Sequence, residues 1–178
     1  LGDVYKRQEI SVLASVIATI IGGFLGVFIY EYKRLAVPVM VVVNFLYTIP
    51  SISMLGLLLY VSGVGNTTAI IALVIYALLP MVRNTFTGLN QIDQAMCEAG
   101  IALGLTRIQR LWNIEIPLAM PTIMAGIRTM LVMTIALTGI ASFIGAGGLG
   151  VAIYRGITTN QSALTIAGSL LLSLIHIS

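Results

Sequence analysis

The residues able to carry chemistry are few, and none has the neighbours that a catalytic or metal site needs. One cysteine, Cys97, and one histidine, His176, exclude an internal disulfide and a Cys/His zinc cluster. A phosphate-binding loop needs a lysine directly after a glycine, whereas Lys6 and Lys33 both follow a tyrosine. The sequence therefore predicts a chain that is not an enzyme and binds no metal or cofactor of its own.

A glycine-rich stretch at residues 145–150 matches the dinucleotide-binding pattern G-x-G-x-x-G. That pattern indicates a nucleotide site only between a strand and a helix, with an acidic residue about 20 positions later. No Asp or Glu follows Glu115, and the preceding residues form an apolar run. We therefore interpret the glycines as irregular backbone at the outer mouth of a helical bundle, where chains approach closely.

The composition indicates what surrounds this chain. Of its 178 residues, 58% are hydrophobic and 8% are charged. A soluble domain carries about 25% charged residues. Nine basic residues dispersed among apolar runs give a net charge of +3 but form no basic patch, so we expect no nucleic acid partner. Most of the chain should lie in membrane lipid.

The elements that must position any functional residue are membrane spans, because a helix of about 20 apolar residues crosses a bilayer. The uncharged runs and the Gly-rich break near residue 63 predict an all-α membrane protein with about five transmembrane helices. Pro50 and Pro80 should bend the second and third of them. The expected spans are residues 10–30, 37–61, 67–88, 129–154 and 156–178.

Charge at the span ends predicts the orientation, because basic loops stay in the cytoplasm. One face collects six basic residues and the other three, which places the 89–117 loop and the C-terminus inside and the N-terminus outside. The six are Lys33, Arg34, Arg83, Arg107, Arg110 and Arg128, and the three are Lys6, Arg7 and Arg155. Residues 1–9 are polar and unlike the first span. We expect them to be a non-core leader that need not be native, on a chain that is a fragment.

The 89–117 loop is the only substantial polar element, and its pattern predicts two helices joined by a turn. Apolar residues at a spacing of three or four indicate an amphipathic first helix over residues 90–103. Gly104 can close that helix in the left-handed conformation. Thr106 and Gln109 have the capping-box spacing for a second helix, which should end before Pro117. From these residues alone, the loop either docks a partner or lies on the membrane with Trp112 as an anchor.

The spelling of this loop resembles the EAA loop of ABC importer permeases, which reads E-A-A, three residues, G, nine residues, I-x-L-P. The spacing is kept throughout, with Gly100 at the second Ala and Ile116 at the Leu. Six positions carry the resemblance: Glu98, Ala99, Gly100, Gly104, Ile114 and Pro117. The resemblance covers nearly the whole chain from residue 10, which implies one permease domain over residues 10–178 with the type I importer fold.

The resemblance implies a non-catalytic transport subunit in a bacterial or archaeal cell membrane. Its loop would be a coupling helix that docks on a separate ATPase, which uses the ATP. The other implied partners are a second permease copy and an extracytoplasmic substrate-binding protein. Arg107 and Arg110 either pair with the ATPase or only set the topology.

Further strings resemble the osmoprotectant branch of the family, whose members import glycine betaine, choline or carnitine. They lie at residues 47–51, 76–85 and 144–150. Methionine and other amino-acid importers share parts of these strings, so a permease for an amino acid is the alternative. Tyr47, Tyr60 and Tyr76 are candidates for lining the path, because aromatic rings attract quaternary ammonium cations. Packing is the other interpretation of these tyrosines.

Two alternatives belong to different functional classes. An ion-coupled secondary transporter would need ionisable groups at mid-membrane, whereas every Asp and Glu here is predicted at a span end or in a loop. A membrane scaffold that does not transport could use the loop only to recruit a partner. ATP-dependent flux distinguishes both from the main interpretation.

Overall fold

The computed structural model describes residues 2–141 and 149–177, and side chains for residues 10–138 and 153–170. The described residues form helices and short connections. The helices are α1 (Gly2–Glu31), α2 (Lys33–Thr48), α3 (Ser51–Ser62), α4 (Asn66–Asn90), α5 (Gln94–Ala102), α6 (Arg107–Arg110), α7 (Ile116–Ala141), α8 (Leu149–Thr158) and α9 (Ser162–Ile177), with one π-helical turn, Leu111–Glu115, between α6 and α7.

Glycines determine how closely the central helices pack. A Cβ at Gly22 would lie 2.8 Å from the Cβ of Met81, and one at Gly26 would lie 2.5 Å from the Cβ of Thr85. The glycine pair in α1 therefore packs against α4 of the same chain, as small residues spaced four apart allow. On its other side α4 meets α7, where a Cβ at Gly126 would lie 2.6 Å from the Cβ of Asn84. Helix α4 is thus the centre of the bundle.

The predicted second span, 37–61, is not one straight helix. Helices α2 and α3 meet at an angle of 97°. Ile49 and Pro50 are extended at the break, with ψ values of 126° and 136°. Proline has no N–H to donate to the carbonyl four residues before it, so α2 ends here. The prediction of a bend at Pro50 is confirmed, and the bend divides the predicted span into two helices. Pro80 lies inside α4, which continues past it to Asn90.

The predicted fourth span, 129–154, was placed too late in the chain. Helix α7 begins at Ile116 and ends at Ala141, so Arg128 lies within it rather than in a loop. The predicted helix end before Pro117 is also wrong. The Ile116 N–H bonds to the carbonyl of Leu111, five residues back. This π-helical turn changes the hydrogen-bond register just before the proline, so the helix absorbs a residue that lacks a donor.

Three helices in the described residues are long and apolar enough to cross a membrane, and the bent α2–α3 pair can form a fourth span. The three are Ile10–Glu31, Asn66–Asn90 and Arg107–Thr138. The predicted last span, 156–178, is interrupted by a turn at residues 159–161, where Asn160 has a φ of 53°. The backbone of residues 2–9 continues α1. Residues 145–148 of the glycine-rich stretch lie outside the described residues.

Candidate functional site

The predicted helix–turn–helix is present and both of its helices are capped. The Asp93 carboxylate accepts a hydrogen bond from the Ala95 N–H at 2.9 Å and begins α5. At the other end Gly104 adopts the left-handed conformation, with a φ of 75°. The Leu105 N–H bonds to the Gly100 carbonyl at 3.1 Å and the Gly104 N–H to the Ile101 carbonyl at 2.9 Å. These two bonds form a Schellman motif, which confirms the predicted glycine turn.

The second helix begins with the predicted capping box. The Thr106 N–H donates to Gln109 Oε1 at 2.9 Å, and the Gln109 N–H donates to Thr106 Oγ1 at 3.4 Å. This reciprocal pair satisfies two donors that a helix start leaves unpaired. Residues 93–115, which we name the capped segment, therefore have a defined conformation rather than that of a flexible loop.

Gly100 allows the two halves of the capped segment to close on each other. A Cβ at this position would lie 2.8 Å from Ile114 Cδ1 and 3.3 Å from Arg110 Cγ and Cδ. The residue is buried, whereas Glu98 and Ala99 are exposed. Any larger residue at position 100 would push Ile114 or Arg110 away.

The outer surface of the capped segment is apolar. Five large side chains are between 46% and 80% exposed: Met96, Ile101, Leu103, Ile108 and Trp112. Ile92, Leu111 and Ile116 instead pack against the main core of the bundle. The predicted apolar face is therefore divided, with one part packed on the bundle and the other exposed. A cluster of exposed apolar residues is typical of an interaction surface.

A buried carboxylate at the end of the capped segment holds two arginines of the same segment. The Glu115 side chain is only 1% exposed, and its Oε1 accepts hydrogen bonds from Arg107 Nη1 and, at 2.9 Å, from Arg110 Nε. A buried carboxylate requires such partners, because losing water is costly for a charge. Both arginines come from the capped segment.

Arg107 also contacts the end of α1. Its Nε donates to Glu31 Oε2 at 3.0 Å and its Nη2 donates to Glu31 Oε1, so the pair is bidentate. The Arg107 Cζ lies 5.4 Å from the ring centroid of Tyr30. The end of the first span and the capped segment therefore lie on the same side of the bundle, in agreement with the charge count.

Cys97 faces the same carboxylate, with its Sγ 3.8 Å from Glu115 Oε1. Burial and then the negative charge of Glu115 raise the pKa of the Cys97 thiol. A raised pKa lowers the thiolate fraction at neutral pH, so this thiol is a weak nucleophile.

The residues of the sequence motif lie in one segment, but they have different structural roles. Gly100 and Ile114 form the internal contact, Gly104 forms the turn, and Pro117 starts the long helix. Arg107 is an internal anchor in this structure. Glu31 and Glu115 were not predicted as site residues. An acidic residue between two isoleucines, five residues after one arginine and eight after another, was the available signal for Glu115.

The three candidate tyrosines do not form one group. Tyr47 and Tyr76 have ring centroids 5.9 Å apart in an edge-to-face arrangement. They line an open cleft of about 370 Å³ at the α2–α3 break, together with Ile49, Pro50 and Met133. The Tyr76 hydroxyl donates to the Ile49 carbonyl. Tyr60 lies elsewhere, near the end of α3, and is 95% exposed.

Residues 14–178 match the family described as the binding-protein-dependent transport system inner membrane component. The chain belongs to this family. It is therefore a multi-pass membrane component of a transport system that works with a binding protein.

Curated relatives match across almost the whole chain. The chain is 44% identical to the glycine betaine/carnitine/choline transport system permease protein OpuCD of Bacillus subtilis (strain 168), covering 96% of this chain and 75% of the relative. Identity is 45% with the choline transport system permease protein OpuBD of the same organism, over 86% and 68% of the two chains. It is 44% with the osmoprotectant import permease protein OsmW of Salmonella typhimurium, over 97% and 83%.

Solved structures share the fold. Two crystal forms of the inward-facing MetNI methionine ABC transporter each contain a chain that superposes with a TM-score of 0.87 or 0.84. The first covers 98% of this chain and 88% of the other, at 22% identity. The predicted type I importer permease fold is confirmed.

Proposed function

We propose that this chain is the permease subunit of an ATP-driven importer and that the capped segment docks on a separate ATPase subunit. The observation that carries this proposal is the combination of a defined backbone with exposed apolar side chains in the segment that joins α4 to α7. Leu103, next to the glycine turn, is 80% exposed. A preorganised surface loses little conformational entropy when a partner binds it.

Force on the capped segment would be transmitted to the spans. The segment continues through the π-helical turn into α7 without a break in the helical chain. Glu115 holds its arginines from inside the bundle. A movement of the docked ATPase would therefore displace α7 rather than deform a flexible linker. A second permease copy and the binding protein complete the proposed assembly.

We propose that the substrate is a quaternary-amine osmoprotectant such as glycine betaine, choline or carnitine. The relatives at 44–45% identity are named for the transport of these compounds or of osmoprotectants, which supports this class. A methionine permease is less well supported, because the matching chain of the methionine transporter is only 22% identical to this chain and the two share only the fold.

The Tyr47 cleft, lined by Tyr47, Tyr76 and the α2–α3 break, is suited to a cation that cannot donate hydrogen bonds. Aromatic rings add attraction for a quaternary ammonium group without requiring a donor. The Tyr76 hydroxyl already bonds to the Ile49 carbonyl, so the rings rather than the hydroxyls would contact the substrate.

The first test is ATP-dependent uptake by proteoliposomes that contain this chain, the ATPase encoded beside it and the loaded binding protein. Radiolabelled choline, glycine betaine and methionine are compared. We expect uptake of the quaternary amines with ATP, and none with Gly104→Asp, which places a charge on the docking surface. Normal uptake by that variant, or uptake driven by an ion gradient without ATP, would contradict the proposal.

A second test concerns the Tyr47 cleft. We expect Tyr47→Phe to transport choline at nearly the wild-type rate, because the ring is kept. Tyr47→Leu should lower kcat/KM, since the face of the ring is lost. Tyr60→Leu is the matched control, because that ring lies outside the cleft. Equal effects of the leucine variants at positions 47 and 60 would argue against this path.

A further inference from the structure

The end of the first span holds Arg107 in a way that the packing of the capped segment does not require. Glu115 is buried, and its Oε1 accepts hydrogen bonds from Arg110 as well as from Arg107. Glu31 adds a bidentate contact to the outer side of the same guanidinium. Tyr30, one residue earlier, lies against its face. The last two residues of α1 thus hold one side chain of the capped segment from two directions.

Stability alone does not explain the geometry of this contact. The Glu31 and Arg107 side chains are 28% and 38% exposed. Water and salt screen part of the attraction in a pair as exposed as this one. The bidentate geometry also fixes the orientation of the Arg107 side chain relative to α1, because a planar guanidinium and a planar carboxylate align with each other.

The contact also starts a continuous route through the bundle. Helix α1 packs on α4 at Gly22 and Gly26, where there is no room even for a Cβ atom between the two helices. Helix α4 carries Tyr76, whose hydroxyl bonds to the carbonyl of Ile49 at the α2–α3 break. A displacement of the capped segment would reach this break through α1 and α4, in addition to the direct continuation into α7. Coupling needs such a physically connected set of contacts.

We propose that Glu31 is a positioning residue that links the capped segment to α1 through Arg107, so that ATPase movement is converted into movement of the first span. This proposal rests on the proposed function. Glu31 contacts neither the substrate nor the ATPase in this account. Its effect should therefore appear in the ratio of substrate transported to ATP hydrolysed, not in ATPase binding.

The test measures uptake, ATP hydrolysis and ATPase retention for the reconstituted complex with Glu31→Gln, Glu31→Asp and Arg34→Gln. Arg34 is an exposed charge three residues away and serves as the control. We expect Glu31→Gln to lower the transport-to-hydrolysis ratio at least about fivefold, within the range of typical coupling free energies. Retention of the ATPase should be unchanged, and Glu31→Asp should recover part of the ratio because it keeps the charge.

A double-mutant cycle gives the second measurement. If Glu31 acts through Arg107, Glu31→Gln should have no further effect on the ratio in an Arg107→Gln background. Additive effects of the two substitutions would overturn the proposal, as would an unchanged ratio in Glu31→Gln. Failure of the wild-type chain to retain the ATPase is a different outcome, because it would overturn the proposed function itself.

Discussion

The turn at Gly104 allows the docking account to be tested quantitatively. Its φ of 75° lies in the left-handed region, and a Cβ built there would meet no atom within 4 Å. In this chain Gly104→Ala therefore causes no collision, and its cost is backbone strain alone. That strain is about 1–2 kcal/mol for an L-residue in the left-handed conformation.

The strain converts into an expected change in affinity. If the free variant relaxes its turn and docking requires the original turn, restoring it costs up to about 1–2 kcal/mol and weakens ATPase binding up to about 5- to 30-fold. Gly104→Asn should be weakened less, because asparagine tolerates the left-handed region better than alanine. The order of affinity should be glycine, asparagine, alanine.

The assay is a titration of the purified ATPase against the permease in lipid nanodiscs. Gly63 supplies a matched control, since its φ is 73° and a Cβ there would also meet nothing within 4 Å. Gly63→Ala should impose at least as much strain between α3 and α4, because the ψ of Gly63 is −179°, a conformation open almost only to glycine, and should leave ATPase binding unchanged. If Gly104→Ala binds the ATPase as tightly as wild type, or if Gly63→Ala weakens binding equally, the turn is not part of the docking surface.

Three further predictions concern packing and charge. Gly26→Ala should destabilise the bundle by about 1–3 kcal/mol through overpacking, which a lower Tm in detergent would show. Gly56→Ala should not lower the Tm, because a Cβ at that position has open space around it. Glu115→Gln should lower the free energy of unfolding by about 2–3 kcal/mol, because it weakens two charge-assisted hydrogen bonds. As a control, Glu98→Gln on the exposed face of α5 should change the free energy of unfolding by no more than about 0.5 kcal/mol. Equal Tm values for the two variants would contradict a stabilising role of Glu115. Maleimide labelling of Cys97 should reach half its maximal rate at a lower pH in Glu115→Gln, because a negative charge that raises the pKa of the thiol has been removed; an unchanged or higher half-point would contradict this.

The capped segment shows what a sequence can specify at short range. The capping box follows from two residues three positions apart, and the turn at Gly104 follows from the one residue type without a Cβ. The motif spacing also led to the correct fold, because it locates the segment between two spans. These features are local, so composition and spacing were sufficient to predict them.

The span boundaries depended on interactions that no local pattern encodes. Arg128 was interpreted as a boundary, yet α7 continues through it, and Pro117 was interpreted as a helix end, yet the π-helical turn accommodates it. The link between Glu31 and Arg107 joins residues 76 positions apart. Such a contact forms only when α1 and α6 pack in the bundle, so no local pattern indicates it.

The most direct test of the central claim is site-specific photo-crosslinking to the purified ATPase in proteoliposomes. A photoreactive residue replaces Leu103 on the capped segment or, as a control, Tyr60 near the end of α3. The two side chains are 80% and 95% exposed. If the capped segment docks on the ATPase, the probe at position 103 captures the ATPase and the probe at position 60 does not. Capture at position 60 alone, or at neither position in a complex that transports, would contradict docking through the capped segment.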